Sequence, residues 1–193
     1  MKITPAAGDA LIVVDMQNDF LPGGSLAVTG GGDIIPQLNR YLAYFAAHRL
    51  PVVATRDWHP PDHCSFQPQG GPWPPHCIAG SDGAAFHSGL ELPIATHIVS
   101  KATARESDAY SAFSGTQLVA LLQSLRIQRV FVCGLATEYC VFNTVKDALQ
   151  LRYATFVLED AIRAIEQQSG NGQRALKEMI RLGAKSIHYE ELA

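Results

Sequence analysis

The sequence predicts a three-layer α/β/α fold: a doubly wound sheet of about six mainly parallel strands with helices on both faces. Three observations carry that prediction. Short runs rich in Val, Ile or Phe alternate with stretches of helical periodicity along the whole chain. Parallel neighbours need crossovers, and those crossovers are usually helices. A chain of 193 residues has the length of one domain, enough to bury roughly 70% of its unfolded surface without disulfide staples.

The first strand is expected at Ala10–Val14, an apolar run ending at Asp15. A helix follows over Ile34–His48, where Ile34, Leu38, Leu42 and Phe45 share a face behind a candidate cap at Asp33. Pro51–Thr55 is the second strand. Residues 59–96 then break the rhythm with Pro60, Pro61, Pro68, Pro72, Pro74, Pro75 and Pro93. Long loops inside compact domains are usually functional or disordered, and Phe66, Trp73 and Phe86 favour an ordered, functional one. His97–Ser100 is the third strand. The helix Thr116–Leu125 after Ser114 leads to the fourth strand, Arg129–Cys133, and the helix Glu138–Leu151 after Thr137 leads to the fifth, Ala154–Leu158. A last helix, Gln173–Leu182, lies between Asn171 and Gly183 and precedes the sixth strand, Lys185–Tyr189. Residues 1–193 read as a single domain, with no internal repeat and no linker.

Composition excludes several classes. Hydrophobic residues make up 47% and charged ones 17% of the chain, which argues against disorder. A formal net charge of −3 and no block of Lys or Arg leave no footprint for nucleic acid. No span approaches the roughly 18 to 20 apolar residues that cross a membrane, and the N-terminus lacks the pattern of a signal peptide. A cytoplasmic setting is therefore expected, with the four cysteines, Cys64, Cys77, Cys133 and Cys140, as free thiols.

In open parallel sheets ligands bind beyond the carboxyl ends of the strands. The first strand runs into Asp15, the second into Asp57 and His59, the third into Lys101 and the fourth through Gly134 to Cys140. Cys140 is expected in the first turn of a helix capped by Thr137, where the helix dipole and free N–H groups favour thiolate and can hold an oxyanion. A small buried hydrophobe is the plainer reading of a free cysteine, and Cys133, inside a strand, suits it. A thiol nucleophile needs a proton acceptor, which Asp15 could supply, and Lys101 beside both would steady negative charge; singly, each could equally be an ordinary turn or strand-end residue. Asp57, His59, His63 and His76 form a second group. One carboxylate with two or three imidazoles suits one divalent metal ion: zinc first, iron or manganese where water keeps positions open. Phe20, Trp73 and Tyr110 lie in loops near these groups and could flank a flat ligand, although core packing also explains aromatics.

Val13-Val-Asp-Met-Gln-Asn-Asp-Phe20, Pro22-Gly-Gly-Ser25, Thr55-Arg-Asp-Trp-His-Pro-Pro-Asp-His63, Gly71-Pro-Trp-Pro-Pro-His-Cys77, Lys101 and Gly134-Leu-Ala-Thr-Glu-Tyr-Cys-Val141 together resemble the nicotinamidases of the isochorismatase-like cysteine hydrolase superfamily. The resemblance runs over nearly the whole chain. It implies hydrolysis of nicotinamide to nicotinate and ammonia through a cysteine thioester, with activity on pyrazinamide by likeness of shape. Catalysis would rest on Asp15, Lys101 and Cys140, and the backbone N–H groups of Ala136 and Cys140 would hold the oxyanion beside a cis peptide between Leu135 and Ala136. Asp57, His59 and His76 would bind the metal, His63 matches a position whose ligand type varies across the family, and Phe20, Trp73 and Tyr110 would flank the ring. A homo-oligomer is compatible with the resemblance. The alternative is another cysteine amidohydrolase of the superfamily acting on a different small amide; a metal-holding protein without turnover is the alternative of a different class.

Overall fold

A computed structural model describes residues 2–193. Six strands, β1 (Asp9–Val14), β2 (Val52–Asp57), β3 (His97–Lys101), β4 (Arg129–Leu135), β5 (Ala154–Arg163) and β6 (Lys185–Ile187), form a sheet in the order β3-β2-β1-β4-β5-β6 with every pairing parallel. The helices are α1 (Ile35–Ala47), α2 (Leu118–Ser124), α3 (Phe142–Gln150) and α4 (Asn171–Arg181).

Strand alternation decides which side chains meet which helix. Leu11, Val13, Phe131 and Cys133 point to one face, where they pack with Leu38, Tyr41, Leu42 and Phe45 of α1. Ala10, Ile12, Val14, Val130 and Val132 point to the other, with Leu118 and Leu122 of α2, Val145 and Ala148 of α3, and Leu176 and Met179 of α4. Both faces of the central strands are thus apolar, as a sheet covered on both sides requires.

The chain winds outward from β1 to β3, then returns to the other flank of β1 and winds outward from β4 to β6. This reversal makes a crevice between the carboxyl ends of β1 and β4, the place where such sheets bind ligands. Gly134 keeps the two strands close there. It has φ 107°, and a Cβ on it would fall 2.1 Å from the Val14 carbonyl oxygen, so no side chain fits.

The structure departs from expectation in three places. β5 extends to Arg163 because its pairing with β4 shifts between Val132 and Gly134, a bulge. The residues taken up there include Asp160, which accepts hydrogen bonds from Tyr41 Oη at 2.7 Å, Gln37 Nε2 at 2.6 Å and the Tyr189 N–H at 3.0 Å. β6 stops at Ile187, and a 3-10 turn over Tyr189–Glu191 replaces its expected end. The expected helix caps also differ. Asp33 lies inside a 3-10 turn and Thr137 makes no capping bond. α4 is headed from outside by the Glu166 carboxylate, which accepts the N–H groups of Gly170, Asn171 and Gly172 at 2.6, 3.2 and 3.0 Å, satisfying donors that a helix start leaves free.

Candidate active site

Four strand ends bring Asp15, Asp57, Lys101 and Cys140 to the crevice. Lys101 is only 1% exposed, and its ammonium finds a partner in every direction. It pairs with Asp57 Oδ1, lies 3.0 Å from Asp15 Oδ2, donates to the Ala109 carbonyl at 3.3 Å and reaches Cys140 Sγ at 3.4 Å. Burial opposes its charge, yet Asp15 and Asp57 hold it protonated well above the usual lysine range. Among the described residues, Asp15 Oδ2 has no other donor than this ammonium.

Two carboxylates beside one ammonium leave negative charge in excess. Burial and Asp57 raise Asp15 above the ordinary carboxylate value, with Lys101 acting against them. Asp57, despite burial, is held low chiefly by Lys101. Asp15 is therefore the member of the pair suited to exchanging a proton.

Cys140 sits differently from expectation. Thr137–Val141 is a π turn and α3 starts only at Phe142. The turn is drawn together by the Ala136 carbonyl, which accepts the N–H groups of Tyr139 at 3.1 Å and Val141 at 3.2 Å. The peptide Leu135–Ala136 is cis, as the resemblance implies. Burial pushes the thiol up, and Asp15 and Asp57 add to this against Lys101, so the helix-dipole argument for a standing thiolate fails here. These surroundings favour the neutral thiol. A thiolate there would have to be made by proton transfer, and a carboxylate oxygen of Asp15 lies within 4.8 Å of the sulfur.

The metal candidates gather beside this set. Asp57, His59 and His76 each offer one ligand atom, all within 4.8 Å of one another and all buried. The chemistry of these donors fits a divalent ion. His59 Nδ1 contacts the Ala102 carbonyl at 3.2 Å and His76 Nδ1 the Pro74 carbonyl at 2.8 Å, which leaves Nε2 of each ring as the lone-pair nitrogen. His59 Nε2 is buried without a hydrogen-bond partner, and burial lowers the His76 pKa and so favours its neutral, ligating form. His63 stands apart from the three. Its Nδ1 meets Ser65 Oγ at 2.7 Å and its Nε2 the Ser107 carbonyl at 3.2 Å, while its ring lies 4.3 Å from that of His59. Both nitrogens being engaged, it backs His59 where direct ligation was expected.

These groups open into a narrow cavity lined by Phe20, Trp73, Tyr110, Ala136, Tyr139, Cys140 and Ile165 among others. Trp73 Nε1 donates to Tyr110 Oη at 2.9 Å, and the Tyr139 ring stands edge-on to Trp73 at 5.1 Å. All three aromatics singled out from the sequence thus reach the cavity wall.

Sequence reasoning passed over several contributors. Tyr139 lies next to Cys140 in the same motif, a signal that was available. Thr55 precedes Asp57 by two on a strand and shares its face; its hydroxyl donates to Asp15 Oδ1 at 2.7 Å. Gln17 is fully buried, and its amide donates to the carbonyls of Asp57 at 2.7 Å and Ala84 at 2.9 Å and accepts the Asp57 N–H at 2.8 Å. Glu138 accepts the N–H groups of Ile165 at 3.2 Å and Glu166 at 2.9 Å, tying the Ile165 wall to the nucleophile's turn. These last two roles depend on contacts 40 and 27 or 28 positions away, which no local pattern announces.

Comparison with known proteins points the same way. The family model of the isochorismatase domain matches residues 9–191. The nicotinamidase of Acinetobacter baylyi is 37% identical over 97% of this chain and 95% of its own. Among solved structures, the pyrazinamidase of Pyrococcus horikoshii in complex with zinc superposes with a TM-score of 0.91 at 46% identity, covering 94% of this chain and 99% of that one. PnC1 of L. infantum in complex with nicotinate gives a TM-score of 0.91 at 38% identity, covering 100% and 99%.

Proposed function

The chain belongs to the isochorismatase domain family, and from that premise we propose that it hydrolyses nicotinamide to nicotinate and ammonia, using Cys140 as nucleophile and one divalent metal ion. The observation that carries this reading is the joint burial of Asp15, Lys101 and Cys140 within contact of the Asp57, His59 and His76 set, at one cavity. Likeness to proteins named for the same reaction, at 37% identity over nearly the whole chain, supports it.

In the proposed reaction Asp15 takes the thiol proton as Cys140 sulfur attacks the carboxamide carbon. The backbone N–H groups of Ala136 and Cys140 hold the oxygen that becomes negative. The C–N bond breaks as Asp15 returns the proton to the nitrogen, ammonia departs, and a thioester remains on Cys140. Water, with Asp15 as base, then adds to the thioester carbon and releases the carboxylate and the thiol. Lys101 keeps Asp15 ionised enough to act as base and offsets the charge of the attacking sulfur. Phe20, Trp73 and Tyr110 flank the ring. Asp57, His59 and His76 would hold the metal, zinc or else iron or manganese, which when bound supplies a Lewis-acid centre for the pyridine nitrogen. That centre is what separates this reading from an amidase for open-chain amides, whose substrates offer no such nitrogen; pyrazinamide offers one and is expected to be cleaved.

The test is ammonia release from nicotinamide with zinc supplied, by wild type and Cys140→Ala. Turnover by the wild type and a fall of about 10⁴-fold or more in the variant are expected. A wild type without turnover overturns the substrate, and an active Cys140→Ala overturns the nucleophile.

A further inference from the structure

Asp15 ends β1 with φ 50°, an uncommon backbone conformation for a residue with a side chain, and Thr55 on the adjacent β2 holds it twice. The Thr55 carbonyl accepts the Asp15 N–H at 3.2 Å, and the Thr55 hydroxyl donates to Asp15 Oδ1 at 2.7 Å. Both residues are fully buried, so no solvent competes for these bonds. The two carboxylate oxygens, equivalent in free aspartate, are thereby made unlike: Oδ1 carries the Thr55 hydroxyl, while Oδ2 faces the ammonium of Lys101 at 3.0 Å as an ion pair.

We infer that Thr55 is a positioning residue for proton transfer, committing Oδ1 so that Oδ2 alone takes the Cys140 proton and returns it to the leaving nitrogen. An ionised carboxylate only accepts, so the Thr55 hydroxyl must donate. A proton arriving on Oδ2 leaves Oδ1 a carbonyl that still accepts that bond, whereas a proton on Oδ1 would compete with the hydroxyl hydrogen and oblige the hydroxyl to turn round and accept. The bond therefore persists unchanged through both protonation states when the proton travels on Oδ2. It also restrains the carboxylate plane, and a β-branched side chain has few rotamers in which to let go.

This inference rests on Asp15 being the proton carrier of the proposed reaction. Two readouts separate its failure from failure of that reading: kcat and KM for nicotinamide, and the rate at which iodoacetamide labels Cys140, followed by peptide mass. The second needs no turnover. In Thr55→Val, labelling and kcat should each fall about tenfold, the scale of one hydrogen bond to a charged group, with KM and metal content within about twofold of wild type. Thr55→Ser, which keeps the hydroxyl, should bring both rates back to within about threefold. Wild-type labelling in Thr55→Val, or Thr55→Ser as slow as Thr55→Val, overturns the inference. Should Thr55→Val fail to fold, Thr55→Ser against Thr55→Ala decides it: fast labelling in the first and slow in the second supports the inference, and equal rates overturn it. If wild type leaves nicotinamide intact, the proposed substrate falls, and the labelling comparison still judges Thr55.

Discussion

On one side of the cavity the groups proposed to react stand on the sheet: Asp15 at the end of β1, Lys101 at the end of β3, Cys140 one turn beyond β4. On the other side only Asp57 is carried by a strand, and His59 and His76 hang from the proline-rich stretch after it. The first side inherits its geometry from strand register, since Val14 lies opposite Gly134 and Asp57 opposite Lys101. The second has to build its own. Gln67 and Trp73 pair across the loop, the His59 N–H donates to the Cys77 carbonyl at 3.0 Å, and the Ala79 N–H donates to that of His59 at 2.8 Å. Side chains from the residues after β1 complete it: Gln17 grips Asp57, and Asp19 Oδ2 accepts the Cys77 N–H at 2.7 Å, where the chain turns at φ 46°. A sheet supplies position through its backbone; a loop of this length needs buried polar side chains to do the same.

Four measurements can break or sharpen this contrast. Asp15→Asn should cost most, about 10³-fold in kcat, because an amide cannot take the thiol proton while its shape is kept. Metal content should be unchanged in that variant; loss of metal would mean that the two sides are not separable. His59→Ala should lower bound metal at least about tenfold and raise KM for nicotinamide, with the fold intact by circular dichroism and Cys140 labelling within about threefold of wild type. Metal content measured as unchanged would remove His59 from the ligand set. Gln17→Leu should destabilise the protein by about 2–4 kcal/mol in denaturant titration, since it leaves the Asp57 N–H and two carbonyls buried and unpaired. A loss below about 0.5 kcal/mol would show that the loop does not depend on this grip. Glu138→Ala should have the smallest effect, about 1–2 kcal/mol with KM a few-fold higher, because Ile165 loses its tie to the nucleophile's turn; an unchanged KM would separate that wall from binding.

The strands were legible because their apolar runs are short and bounded, and the strand-end residues followed from them. The Asp57, His59 and His76 set was legible because those ligand types are rare enough to stand out in a loop. Strand order was not: nothing in the residues of β4 says that it returns beside β1, and that return is what brings Asp15 to Cys140. The state of Cys140 is not legible from its place in the chain, for a physical reason. A position near a helix start argues for thiolate only where solvent can share the charge, and beside two carboxylates in a buried site desolvation wins. His63 is the least secure of the four ligand candidates, and Ser65 and Ser107, which meet its nitrogens, carry no sequence signal.

Lys101, which touches both sides of the site, ends one of the two edge strands of the sheet, with β2 as its only strand neighbour among the described residues. Outer strands open more readily than central ones. A brief peeling of β3 would withdraw the ammonium from Asp15, Asp57 and Cys140 together while the other five strands stayed packed. Loss of activity ahead of unfolding is the expected outcome, and amides of β3 that exchange faster than those of β1 and β4 are the measurement that checks it.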